Sequence, residues 1–453
     1  MSFFTKHKDV LLISLTTLLY ITFAYLLKRI EFGQLLFLWL SLFGSFYLLL
    51  KNKKTSTLTL VGLVVLFRLI FLFATPNLSQ DFYRFIWDGR MILKGFNPYL
   101  SLPETIIQQG TELIYEGRAL YNGMGEMNGS HYTNYPPINQ LCFFIAALFA
   151  SKTIFGSVLV LRIIIILADI GVLYFGIKLL KRLNLPVKNI FWYALNPFII
   201  IEMTGNLHFE PVMLFFLIWC LYKLHQQKWA LGAVLFACSI SVKLIPLLFL
   251  PLFYQWFIYN KSLQISKRHR FYNLIGFYAI ILIITILLFL PFYSLEFVEN
   301  YASSVSLWFQ NFEFNASFYY IFREVGYLFS DWNQIAIIGK ITPIMTIAFL
   351  IIVTFFRKNR SMIQMITALL FGICFYYFTT TTVHPWYLAT PLILSIFTKY
   401  RFPIIWTIAI IFSYQVYANS PWQENLWFVA LEYTILYGFM IFEINKNFKI
   451  IKA

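Results

Sequence analysis

The 453 residues are 60% hydrophobic and 12% charged, with a mean hydropathy of +0.72. Soluble domains run about 45–50% apolar and about 25% charged, and a single soluble core cannot hide this excess. The net charge of +16 raises nucleic acid as a partner. The Lys and Arg residues, however, sit in short clusters between apolar runs, the pattern of cytoplasmic loops, so nucleic acid is not expected.

The first apolar run, Val10 to Leu27, follows Lys6 and Lys8 and lacks a small-residue cleavage site, so an uncleaved span is expected. With about 20 apolar residues needed per crossing, candidate spans follow at 10–27, 33–50, 57–75, 157–178, 188–204, 209–225, 229–258, 272–291, 335–356, 361–378, 385–399, 402–416 and 424–442. The 229–258 stretch is long enough to break into two near Lys243–Pro246. The expectation is an all-α polytopic membrane protein of about 13–14 transmembrane helices, forming a single integral domain over 1–453. Helices follow because a chain crossing hydrocarbon must satisfy its own backbone hydrogen bonds.

Residues 136–152 are apolar enough to span, but counting them would place Lys178, Lys181, Arg182 and Lys188 outside. Laid flat on the outer surface, this stretch lets the basic clusters at 51–54, 178–188, 223–228, 261–270, 357–360, 399–401 and 446–452 all fall inside. Both termini are then cytoplasmic, in a multi-pass protein of the cell membrane. Two long extracytoplasmic loops result, at 76–156 and 292–334. Cys142, Cys220, Cys238 and Cys374 lie singly in apolar segments and read as packing residues.

The unusual polar residues converge on the outer side. Asp81, Arg84 and Asp88 share one helical face, opposite a stripe of Phe82, Phe85, Ile86 and Leu93, as in an interfacial helix lying on the membrane. Spacing alone leaves two readings open: a surface ion-pair ladder, or a carboxylate base beside an arginine that meets an anionic group. Arg90 follows on the same helix, then Asn97-Pro98-Tyr99.

Farther along, Glu202, Asn206, His208 and Glu210 crowd an outer hairpin tip after Asn196-Pro197. A lone His–Glu pair is weak ground for a metal, and none is expected. Lys243 sits where 229–258 breaks, either snorkelling or facing a wet cavity. Asp169 is deeper and is expected to join Arg68 or Arg162 in holding helices together. His384 precedes Pro385-Trp386-Tyr387, two aromatic residues of the membrane-belt type, and adds a donor for a phosphate. In the second loop, Phe314-Asn315-Ala316-Ser317 forms a further polar cluster.

A carboxylate with cations and imidazoles at the bilayer edge suits a lipid substrate whose phosphate carries a transferable group. Asp81 would deprotonate the attacking hydroxyl, while Lys243, Arg90 or His384 would stabilise charge on the departing phosphate. A single in-line attack implies inversion at the sugar carbon.

These pieces resemble the GT-C glycosyltransferases, and more narrowly the bacterial polyprenol-phosphate-mannose-dependent mannosyltransferases. The resemblance rests on the Asp-Phe-Tyr-Arg, Trp-Asp-Gly-Arg and Asn-Pro-Tyr pieces of Ser79–Tyr99, on Tyr135-Pro136-Pro137 and on Asn196-Pro197. It also rests on Gly205-Asn206-Leu207-His208, Lys243-Leu244-Ile245-Pro246 and His384-Pro385-Trp386-Tyr387. It implies juxtamembrane helices in the first loop and a catalytic aspartate soon after a span, which maps to Asp81. It further implies a polyprenyl-phosphate sugar as donor substrate with no separate cofactor, and a glycan, lipid or protein acceptor. Relatives often carry Asn-Asp where this chain has Phe209-Glu210. A transporter or flippase of a lipid-linked saccharide would show polar groups at mid-depth on several helices, and a polysaccharide polymerase or ligase would favour arginines in the second loop.

Overall fold

The computed structural model describes residues 8–52, 54–110, 113–260 and 266–452. Lys6, Lys53 and Lys261, each part of the expected basic pattern, lie outside the described residues. The chain is an all-α polytopic membrane protein. Among the described residues, the β-structure is a single isolated bridge between Phe314 and Thr382.

Seven described helices are long and apolar enough to cross a membrane: Lys8–Tyr25, Phe32–Lys51, Ile154–Arg182, Lys267–Phe292, Ile335–Phe356, Met362–Thr379 and Leu426–Asn447. Thr57–Ile70, Trp229–Ile240, Ile245–Tyr259, Pro385–Ile396 and Phe402–Ala418 are shorter apolar helices on other expected spans. Lipid-facing surfaces are legible on the long ones. Leu282, Ile283, Ile286 and Leu287 are exposed on one helix, and Ile344, Ile347 and Ile351 on another.

The expected pair of spans at 188–204 and 209–225 is a different object. It starts with short turns at Val187–Ile190 and Phe191–Ala194, and Asn196-Pro197 then breaks the chain. A π-helical segment at Ile199–Gly205 follows, bent by 113° against the Glu210–His225 helix. Proline cannot donate to the preceding turn. The Asn196 side chain takes over instead, accepting from the Phe198 N–H at 3.0 Å and donating to Thr407 at 3.2 Å. Irregular backbone of this kind is tolerated where it is buried in protein, and Ile199–Gly205 is buried throughout.

Asp169 pairs with Arg68 at 2.7 Å and accepts from the Tyr193 hydroxyl at 3.0 Å. Arg162 instead donates to the Leu72, Thr204 and Gly205 carbonyls, tying Ile154–Arg182 to the bent segment. The basic loops gather at one end. Lys188 reaches the Thr55 carbonyl at 2.8 Å, and Arg182 reaches His225 at 3.1 Å.

At the other end, the Asp81–Leu93 helix is packed between Pro137–Ala150 and Gly117–Gly129. Its burial overturns the expected membrane-surface helix: Phe82 and every residue from Arg84 to Met91 are buried. Gly89 makes this possible, since a Cβ there would lie 2.1 Å from the Phe143 carbonyl oxygen. Pro137–Ala150 has 14 residues, about 21 Å of helix, shorter than the roughly 30 Å hydrocarbon core. Asn97-Pro98-Tyr99 joins the two long loops: Asn97 donates to the Phe292 carbonyl at 3.0 Å, and Asn300 donates to that of Tyr99 at 3.0 Å.

Candidate active site

Asp81 opens its helix at the first turn and is half-buried. Burial pushes its carboxyl up to about 6, against the lowering influence of Lys243, an Asn128 hydrogen bond and Arg29; Glu210 pushes in the raising direction. Asp81 therefore shares an electrostatic neighbourhood with Lys243, Glu210 and Arg29, although these come from four separate parts of the chain.

Lys243 lies in the turn between Trp229–Ile240 and Ile245–Leu252 and pairs with the buried Glu210 carboxylate. Its ammonium is 6.0 Å from the centre of the Tyr387 ring. The other Glu210 oxygen, Oε2, is buried without a hydrogen-bond partner among the described residues. Beside Leu244 runs an open groove of about 500 Å³, lined mainly by Tyr301, Val305, Pro343 and the Gly339 backbone, with Lys340 and Ser306 on its wall.

The hairpin residues were expected at an exposed tip; the structure buries Glu202, Asn206, His208 and Glu210. They are met by the segment leading to Asp81, by Trp386 and by Tyr414. Asn206 Oδ1 accepts from the Leu78 N–H at 2.9 Å. Leu207 adopts a left-handed conformation, φ 63°, uncommon for a branched side chain. His208 stacks on Trp386 with ring centroids 3.8 Å apart, and its Nε2 is 3.6 Å from Glu202 Oε2. Glu202 Oε1 accepts from the Tyr414 hydroxyl at 2.5 Å.

His384 also stacks on Trp386, at 4.5 Å, and on Phe314, at 5.4 Å. Burial, reinforced by Lys243, pushes this imidazole down to about 3, so it is neutral at physiological pH and brings no cation. Trp386 is thus a stacking platform rather than a membrane-belt residue. The second long loop is pinned over this platform: Val383 donates to the Phe314 carbonyl at 2.8 Å, and Thr382 donates to that of Phe312 at 2.9 Å.

The remaining expected site residues are used in the protein's own structure. Arg84 pairs with Asp88 at 2.8 Å and donates to the Asn128 and His131 carbonyls. The second Asp88 oxygen accepts from Gln140 at 3.0 Å. Arg90 donates to the Tyr115 carbonyl and meets Glu116 at 3.4 Å. Arg90, offered to a phosphate on sequence grounds, stands here against the Tyr115 carbonyl and Glu116. Among the described residues, no group of three His, Cys, Asp or Glu side chains gathers to hold a metal ion.

The family profile described as alpha-(1->6)-mannopyranosyltransferase, N-terminal domain, matches residues 5–259. The chain belongs to this family, MptA_B. A stretch of 188 residues, 40% of this chain, is 25% identical to alpha-(1->6)-mannopyranosyltransferase A of Corynebacterium glutamicum and covers 35% of that relative's length. The MptA_B match takes in Asp81, Asn206, His208, Glu210 and Lys243, and leaves His384 beyond its end. It also takes in residues absent from the sequence-based candidates. Asn128 has no signal beyond polarity. Arg29 has one: Lys28-Arg29 is a basic pair in a turn otherwise expected on the outer, basic-poor side.

Proposed function

We propose that this member of the mannosyltransferase family is an integral membrane glycosyltransferase. In this reading it moves mannose, or another hexose or pentose, from a polyprenyl-phosphate donor to an acceptor hydroxyl on a glycan, lipid or protein. The single observation that carries the reading is the convergence of the half-buried Asp81 carboxylate with the Lys243–Glu210 pair next to an open apolar groove. A lipid-linked donor needs an apolar surface and a charged group side by side, and the turn Lys243-Leu244 presents both.

The chemistry follows from these residues. Asp81 accepts the proton of the acceptor hydroxyl, whose oxygen forms a bond to the anomeric carbon. The bond from that carbon to the phosphate oxygen breaks, and the electron pair leaves with the phosphate beside Lys243. One displacement inverts the configuration at the sugar carbon. Trp386, held between the second outer loop and the hairpin, offers an aromatic surface, and neutral His384 a hydrogen bond without charge. A small cleft lined in part by Arg84, Asn128, His131 and Tyr132 adjoins Asp81 through Asn128, and it is the side on which the acceptor hydroxyl is expected.

The transporter reading loses its main support because Asp169 is closed off by Arg68 and Tyr193. Arg323, the arginine of the second loop, is occupied by Glu313 and Glu324, which removes the feature a polymerase or ligase would use.

The test is a transfer assay on purified protein with a panel of polyprenyl-phosphate sugars, nucleotide sugars as controls and Asp81→Asn as blank. Consumption of one lipid-linked sugar, absent in the blank, supports the reading. Binding of a lipid-linked sugar without consumption in any acceptor mixture overturns it in favour of transport.

A further inference from the structure

The phosphate of a lipid-linked donor calls for more positive charge than the described site displays. Lys243 is shared with Glu210, Arg84 and Arg90 are spent on backbone and carboxylates, and His384 is neutral. Three carboxylates, Asp81, Glu202 and Glu210, share the region. Lys340 stands on the wall of the apolar groove, and another cation stands at the edge of the carboxylate cluster. Arg29 lies in the turn between the Lys8–Tyr25 and Phe32–Lys51 helices, half-buried. Its Nη1 donates to the Leu78 carbonyl at 3.3 Å, three residues before Asp81. Its guanidinium lies 4.2 Å from the centre of the Tyr417 ring and 5.1 Å from that of Trp422.

Two features set this arginine apart from the buried ones. Leu78 is gripped on both sides, its N–H by Asn206 and its carbonyl by Arg29, so the guanidinium is fixed relative to the strand that delivers Asp81. Tyr417 shares the Ile410–Ala418 turn with Tyr414, which holds Glu202, so the aromatic support of Arg29 is continuous with the hairpin network. A guanidinium carries five N–H donors. Among the described residues the Leu78 carbonyl is the only hydrogen-bond acceptor Arg29 meets. A stacked, pre-oriented guanidinium is suited to paired hydrogen bonds to phosphate oxygens, a geometry an ammonium does not offer.

We propose that Arg29 is a second phosphate-binding cation of this site, acting with Lys243 on the phosphate of the lipid-linked donor. This rests on the glycosyltransferase reading above. It also gives the two amino-terminal helices a role: their connecting turn delivers the arginine.

The experiment measures binding of sugar-free polyprenyl phosphate and of uncharged polyprenol to full-length protein in nanodiscs, for wild type, Arg29→Ala, Arg29→Gln and Asp81→Asn. Arg29→Ala is expected to weaken polyprenyl-phosphate binding about 10- to 100-fold and to leave polyprenol binding unchanged. Arg29→Gln keeps a donor for the Leu78 carbonyl but carries no charge, so it should show the same selective loss and serves if the alanine variant does not fold. Asp81→Asn should retain phosphate binding. Equal losses for both lipids, or unchanged binding with a lower kcat only, would overturn the proposal and make Arg29 a residue that positions the Leu78–Asp81 strand. If wild type itself does not distinguish phosphate from alcohol, the donor reading fails instead, whatever Arg29 does.

Discussion

The side-chain oxygen of Asn206 accepts the Leu78 N–H at 2.9 Å, joining the bent hairpin to the strand that leads into Asp81. The same amide donates to the Ile201 carbonyl at 3.1 Å, so the contact is braced within the hairpin. Asn206→Ala should therefore lower kcat more than it raises the donor KM, because it loosens the aspartate rather than a substrate contact. Buried hydrogen bonds of this kind contribute about 1 kcal/mol each, so thermal unfolding should shift only slightly. A large rise in KM at constant kcat would instead make Asn206 a substrate contact.

Asp81→Asn keeps the size and much of the hydrogen bonding of the side chain and removes the base. Turnover should fall by about 10²–10⁴-fold, with size-exclusion profile and melting temperature unchanged. Near-normal turnover would remove Asp81 from the base role.

The Asp81 carboxyl is held up to about 6, and a base must be deprotonated, so kcat should fall as pH drops through about 6. Lys243 holds that value down and Glu210 holds it up. Lys243→Met should move the acid limb to higher pH among whatever activity remains, and Glu210→Gln should move it lower. pH–rate profiles of the three proteins check the two opposite displacements.

Asp169 and Arg68 form a buried pair between helices, and Tyr193 supplies a further hydrogen bond. Removing one partner of such a pair costs about 3–5 kcal/mol. Asp169→Ala should lower the melting temperature and expression sharply, while the specific activity of the surviving folded fraction stays near wild type. Loss of activity at unchanged stability would give the pair a functional role.

Gln109 is exposed in the first long loop, proposed to face outward, and three of the four native cysteines are buried. Gln109→Cys should react with a membrane-impermeant thiol reagent in intact cells, while Cys142, Cys220 and Cys374 stay silent. Protection of Gln109→Cys would invert the proposed orientation and place Asp81 on the cytoplasmic side.

The sequence by itself determined the solvent of this protein and its helical class, and it singled out the residues on which the proposed chemistry rests. Apolar runs of about 20 residues read out directly because lipid imposes a fixed length and leaves backbone hydrogen bonding no other solution. The demotion of 136–152 rested on charge distribution, and the structure gives that stretch a 14-residue helix. Asp81, Asn206, His208, Glu210, Lys243 and His384 were visible because polar side chains in apolar surroundings are costly and therefore conspicuous.

Tertiary structure alone decided what each of them meets. Spacing could place Asp81, Arg84 and Asp88 on one face, but not reveal that Pro137–Ala150 and Gly117–Gly129 bury that face and turn Arg84 and Asp88 on each other. The bend between Ile199–Gly205 and Glu210–His225 depends on side chains from Arg162 and Thr407, too distant in sequence for any periodicity to register. Arg29 showed in the sequence only as half of a misplaced basic pair; the fold alone brings Leu78, Tyr417 and Trp422 around it. Local pattern reports which face of a helix is apolar, whereas partners separated by hundreds of residues are chosen by packing.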